Sequence, residues 1–162
     1  MKLKITFAIA FLICGIQAQA KTILPKFDKA AFYAVIKTGT ADDIDTELGL
    51  VTSSTVSEKE GYEGFLLMRK AGLVGRPAEK LKLFKEGRIK LETALLNDPG
   101  NTEYHFLRLI IEEHAPKIVK YHNDLETDKQ LIIKAYKNLP PVVQQAITDY
   151  SKSSKILQTQ DF

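Results

Sequence analysis

The chain has 162 residues, 44% of them hydrophobic, with 23 Lys and Arg against 20 Asp and Glu and a single cysteine. That length suffices for one domain with its own core. One cysteine excludes an internal disulfide framework and a thiolate metal cage, and a net charge of +3 is too small to mark a nucleic-acid binder.

Met1-Lys2-Leu3-Lys4 carries two positive charges, Ile5 to Ile16 is mostly apolar, and Ala18-Gln19-Ala20 has the small-x-small pattern read by a signal peptidase. The spacing predicts a signal peptide over residues 1–20, cleaved after Ala20, and a periplasmic or secreted protein. The apolar stretch is too short for a stable membrane anchor. Cys14 offers the alternative of an acylated lipoprotein, but Ile13 stands where that cleavage needs a small residue. Without the leader the chain keeps 21 basic and 20 acidic residues, a net charge of +1, and no cysteine. Such a protein holds together by packing alone, which suits a bacterial periplasm.

Residues 21–26 read as a short extended lead-in broken by Pro25. Asp28 is placed to cap a first helix with Phe32, Val35 and Ile36 on one face, ending at Gly39. Thr40 caps a second, with Asp43 at capping-box spacing. Asp42, Asp43, Asp45 and Glu47 crowd its first turns, where the helix dipole favours negative charge; a cation site there would want a loop. The Ser/Thr cluster from Thr52 to Ser57 predicts a break. A third helix follows over about Val56 to Lys70, with Tyr62, Phe65, Leu66 and Met68 as its apolar surface, ended by Ala71-Gly72.

Pro77 reads as the first turn of a fourth helix, whose stripe is Leu81, Phe84, Leu91, Ala94 and Leu95. Gly87 lies on that stripe. Glycine inside a helix costs about 1 kcal/mol relative to alanine, so its use is the close approach of a neighbouring helix. Asn97-Asp98-Pro99-Gly100 ends the helix, and Asn101 caps a fifth carrying Tyr104, Leu107, Ile110 and Ile111. Pro116 breaks the pattern. Asn123-Asp124 opens a sixth helix through Ile132, Ile133 and Tyr136, and Pro140-Pro141 leads into a last one with Val142, Val143, Ala146, Ile147 and Tyr150. No segment alternates long enough to predict a strand. The expected organisation is one helical domain over residues 21–150 and a frayed polar tail over 151–162.

Gly87, Leu91, Ala94 and Pro99, and the run from Ala94 to Glu103, resemble the second helix and closing junction of a tetratricopeptide (TPR) repeat; Gly64 is similar to the glycine of the first helix. With Gly64 in that role the helix pair is about eleven residues longer than a repeat of about 34. The resemblance implies an all-α fold of antiparallel helical hairpins, six to seven helices stacked as a short TPR-like α-solenoid. As a whole the chain also resembles small exported helical proteins of Gram-negative bacteria without an assigned activity, which supplies no site residues.

His105, His114 and His122 are nine and eight residues apart, whereas a helical zinc pair wants about three or four. Folding could still unite His114 and His122 across the Pro116 break, but no metal and no cofactor is expected. There is no G-x-S-x-G elbow and no phosphate-binding loop. Between Arg69 and Lys90 eight basic residues face two acidic ones. Arg69, Lys70, Arg76, Lys82 and Lys85, with Tyr104 and Arg108 on the next helix, are the candidate partner-binding residues. Their partner would be a protein or peptide, or another anionic surface such as a lipid headgroup or glycan. The alternative is that the cluster is only the solvated face of a long amphipathic helix. Few aromatics interleave it, which argues against nucleic acid. The expected function is a non-enzymatic interaction module that binds through a groove between hairpins, sited around the Asp98-Pro99 turn. The other reading is a small helical enzyme or ligand-binding protein with a pocket served by His105, His114 or Tyr121.

Overall fold

A computed structural model describes residues 26–162. The leader, its cleavage after Ala20 and Cys14 lie outside them. Among the described residues the fold is all-α, with seven α-helices and no strand.

Local chemistry sets most helix boundaries. α1 (Lys29–Thr38) starts where the Asp28 side chain accepts the Ala31 N–H at 2.8 Å and ends at Gly39. α2 (Ala41–Ser53) opens on a complete capping box: Asp43 N–H donates to Thr40 Oγ1, and Thr40 N–H donates to Asp43 Oδ2 at 2.8 Å. α3 (Lys59–Leu73) begins and ends three residues later than expected. Gly72 does not stop it, because nothing there requires a left-handed residue. The helix runs until the chain must extend ahead of Pro77, which pushes Arg76 to φ −78°, ψ 125°. α4 (Pro77–Asn97) has its proline at the first position. α5 (Thr102–His114) is capped by Asn101, whose side chain accepts from Glu103 and Tyr104 N–H. A 3₁₀ turn (Lys117–Val119) follows Pro116. α6 (Leu125–Ala135) tightens into a 3₁₀ turn over Tyr136–Asn138, and α7 (Pro141–Ser151) begins on proline.

α3 and α4 form the most extensive helix pair. Gly64 and Gly87 meet at their crossing. A Cβ on Gly87 would lie 2.5 Å from the Gly64 carbonyl oxygen, and one on Gly64 2.5 Å from Leu91 N. Beyond the crossing Leu91, Ala94 and Leu95 are buried, while Leu81, expected on the same buried stripe, is 50% exposed. α5 runs through the centre, buried from Glu103 to Glu112. Tyr104 packs against α3 at Gly61, where a Cβ would meet its ring at 2.4 Å. Glu103 accepts hydrogen bonds from Lys29 Nζ (2.8 Å), Tyr33 OH (2.6 Å) and Tyr62 OH (2.9 Å), tying α1 and α3 to α5. α1 also touches α7, so contacts are not confined to sequence neighbours as in an open solenoid.

The tail does not fray as expected. Leu157 is fully buried, the Phe162 ring lies 4.4 Å from Tyr136, and Glu113 accepts from Ser154 Oγ and Lys155 N–H, each at 2.6 Å. Three apolar anchors in a polar run, Leu157 with the partly buried Ile156 and Phe162, dock it.

Candidate functional site

The seven residues expected on one partner-binding surface are not brought together. Tyr104 is buried against Gly61, and Arg108 is buried in an ion cluster. Neither can meet a partner, because each already fills a place in the core. Lys70 Nζ donates to both oxygens of Asp45, at 2.6 and 2.7 Å. Arg76 and Lys82 stay exposed and lean on Glu79 (3.5 Å) and Glu86 (3.9 Å) of their own helix. Lys85 is exposed, and Arg88 stacks 4.8 Å above the Tyr121 ring. The edge of Tyr104 borders a small hollow by the Asp98-Pro99 turn, and Arg69 borders a large cavity.

That cavity is a half-open groove of about 1070 Å³. Its walls are the C-terminal half of α1 (Tyr33, Ile36, Lys37), the end of α3 (Met68, Arg69) and the start of α4 (Pro77, Lys80, Leu81, Phe84). The far side is α5 (Phe106, Ile110, His114), the Ile118 turn and α7 (Val142, Ala146, Asp149). The stripe of α4 that is buried beyond Gly87 opens here. Ile118, held up by the turn after Pro116, is 87% exposed. The groove lining is mainly hydrocarbon. Its Tyr150 hydroxyl is already spent on Glu113 (2.7 Å), and His114 Nδ1 lies 3.0 Å from the Ile110 carbonyl.

A second hollow, about 390 Å³, lies by the Asp98-Pro99 turn, where the interaction face was expected. It is small and acidic, bordered by Glu58, Glu60 and Asp98.

Between α5 and α6 lies the strongest polar cluster. Asp128, fully buried, accepts from Arg108 Nε (2.8 Å) and Nη2 (2.7 Å), and its Oδ1 is 2.6 Å from His105 Nδ1. His105 Nε2 is 2.9 Å from the Pro99 carbonyl. Burial opposes charge on this imidazole, but its bonds to Asp128 and Pro99 outweigh it and hold the pKa above the ordinary histidine value. Arg108 Nη1 reaches Glu92 (3.3 Å), which also accepts from Tyr121 OH. Behind them Glu112 is fully buried. Burial, reinforced by the charges of Asp124 and Asp128, pushes its pKa up to about 7 although it accepts the Asp124 N–H. His122 Nδ1 donates to the Glu112 carbonyl, 2.7 Å away. Each histidine thus serves a different acceptor, and among the described residues no three ligating side chains cluster to hold a metal. No described helix is long and apolar enough to cross a membrane.

A groove between helices was expected around the Asp98-Pro99 turn, whereas the large cavity lies at the other end of α4, against α1, α5 and α7. Its one local signal was the apolar pair Ile118-Val119 just beyond Pro116, where a solvated loop would be polar. No protein-family model, curated protein or solved structure matches the chain.

Proposed function

We propose that the protein is an exported, non-enzymatic binding module whose working surface is the groove framed by α1, α3, α4, α5 and α7. The observation that carries this reading is exposed hydrocarbon at a concave site. Leu81 at 50% exposure and Ile118 at 87% both border a space of about 1070 Å³. Apolar side chains gathered in one concavity mark a binding surface, whereas scattered ones need no explanation. The leader pattern supports an address outside the cytoplasm, and the cysteine-free remainder suits a bacterial periplasm better than an animal extracellular space. The helical hairpins of the TPR-like reading support a groove between helices as the place of contact.

The enzyme reading has less support. His105 and Tyr121, the residues it relies on, are engaged by Asp128 and Glu92. His114 does border the groove, but no carboxylate bonds its ring: its Nδ1 lies 3.0 Å from the Ile110 carbonyl, and the Tyr150 hydroxyl 3.4 Å away donates to Glu113 instead.

Nile red, a neutral apolar dye, tests the reading. It should brighten on the folded protein and lose that response when Leu81 and Ile118 are both changed to Asp. These side chains are largely outside the core, so the helical circular dichroism should persist. A folded protein that does not take up the dye, or takes it up equally after the double change, would place binding elsewhere.

A further inference from the structure

The groove carries charge on its rim as well as hydrocarbon on its floor. Lys37, Arg69 and Lys80 border it, contributed by α1, α3 and α4. Of the cations on α3 and α4 away from the rim, four are ion-paired, Lys70 with Asp45 (2.6 Å), Lys90 with Glu63 (2.8 Å), Arg76 with Glu79 (3.5 Å) and Lys82 with Glu86 (3.9 Å), while Lys85 is exposed off the groove and Arg88 stacks on Tyr121. Lys37 leans on Asp149 at 3.9 Å. Among the described residues Arg69 and Lys80 form no ion pair. Arg69 is half-buried, with a single long bond from Nε to the Ile36 carbonyl (3.5 Å). The one acid on the rim, Asp149, is held by Lys152 at 2.6 Å as well as by Lys37.

We propose that the groove binds a long-chain anionic amphiphile of the fatty-acid type, its carboxylate at Arg69 and Lys80 and its tail along Leu81, Phe84, Phe106 and Ile110. This rests on the groove being the working surface. A guanidinium at the border of an apolar cavity is suited to a carboxylate, which it can grip with two parallel hydrogen bonds. The floor then selects the rest of the ligand. An acyl chain has no polar groups to leave unpaired on the apolar floor of Leu81, Phe84, Phe106 and Ile110, whereas an extended peptide laid there would have to turn its N–H and C=O groups to the polar side chains of the rim, Gln145 and Ser153 among them, or to water. There is room for such a chain: small-molecule sites span roughly 300–1,000 Å³, and this groove, at about 1070 Å³, lies just above that range.

The experiment is displacement of Nile red from the purified protein by palmitate, hexadecanol or hexadecylamine, each below its micelle or solubility limit. Palmitate should displace the dye about tenfold more strongly than hexadecanol, the factor expected for one charge-assisted contact. Arg69→Gln with Lys80→Gln should bring palmitate down to the level of hexadecanol while leaving dye uptake unchanged, which also reports that the groove is intact. Arg69→Lys should retain part of the preference. Lys82→Gln with Lys85→Gln, off the groove, should change nothing. If palmitate is not preferred over the alcohol or the amine, or if the off-groove pair weakens it equally, the inference falls. Dye binding without any palmitate preference leaves the groove reading standing and removes only the head-group assignment. Absence of dye binding removes both. A second copy of the chain, or an amphipathic helical peptide, that palmitate cannot displace would give the groove a different occupant.

Discussion

Between α3 and α4 the backbones themselves touch, since a Cβ on Gly64 would lie 2.7 Å from the Gly87 carbonyl and one on Gly87 2.8 Å from Met68 N. Between α5 and α6 the contact runs through charge, with Arg108 and His105 closing on a fully buried Asp128. The first interface tolerates no added atom. The second tolerates no lost one, because removing any partner strands a charge away from water. The two pairs therefore fail in opposite ways, by overpacking and by desolvation.

The largest effect should come from the charged pair. Asp128→Ala leaves Arg108 and His105 buried without their acceptor and should cost about 3–5 kcal/mol, in the range for breaking a buried ion pair. Denaturant midpoints measure it. A loss under about 1 kcal/mol would mean that Arg108 swings out to solvent and that the two interfaces are not opposites.

Next comes the glycine crossing. Gly87→Leu should cost roughly 1–3 kcal/mol from overpacking, despite a helix-propensity gain of about 1 kcal/mol. The atoms in the way are backbone of α3, which cannot step aside as a flexible side chain could. An unchanged melting temperature would show that α4 can shift along α3 and that the contact is looser than the geometry requires.

The smallest effect depends on pH and sharpens the picture of the α5–α6 side. Glu112 has its pKa raised to about 7 in the folded protein. The folded state therefore holds a proton that the unfolded chain releases, and this group's contribution is fully present below the ordinary glutamate value. It declines as pH rises and is gone above about 7. Glu112→Gln, which keeps the acceptor for Asp124 N–H, should match the natural protein near pH 4 and be the more stable of the two at pH 8. Parallel melting curves across that range would place Glu112 in contact with water.

Legibility in the sequence followed range. Caps at Asp28, Thr40 and Asn101 and starts at Pro77 and Pro141 depend on residues within one turn, and all were readable. Gly87 was readable because a glycine on an apolar stripe has few other uses. Arg108 was misplaced on a surface because its partner Asp128 lies 20 positions on, and nothing local separates a buried arginine from a solvated one. Lys70 and Lys90 looked like a free basic face because Asp45 and Glu63, 25 and 27 positions away, answer them from other helices. The groove is drawn from six separate segments and has no linear pattern. Leu81 looked like core because periodicity gives the direction of a side chain, not what faces it.

The Lys29–Glu103 bond, spanning 74 positions, has a consequence for how the molecule comes into being. A chain is made from its N-terminus, so α1 meets α2 and α3 before α5 and α7, which also hold it, exist. Closing such long separations is slow and comes late in folding. Since α1 is one wall of the groove, an incomplete chain has no groove to fill. Anything seated in the groove would touch α1 and α5 together and so act as a clasp across that long separation.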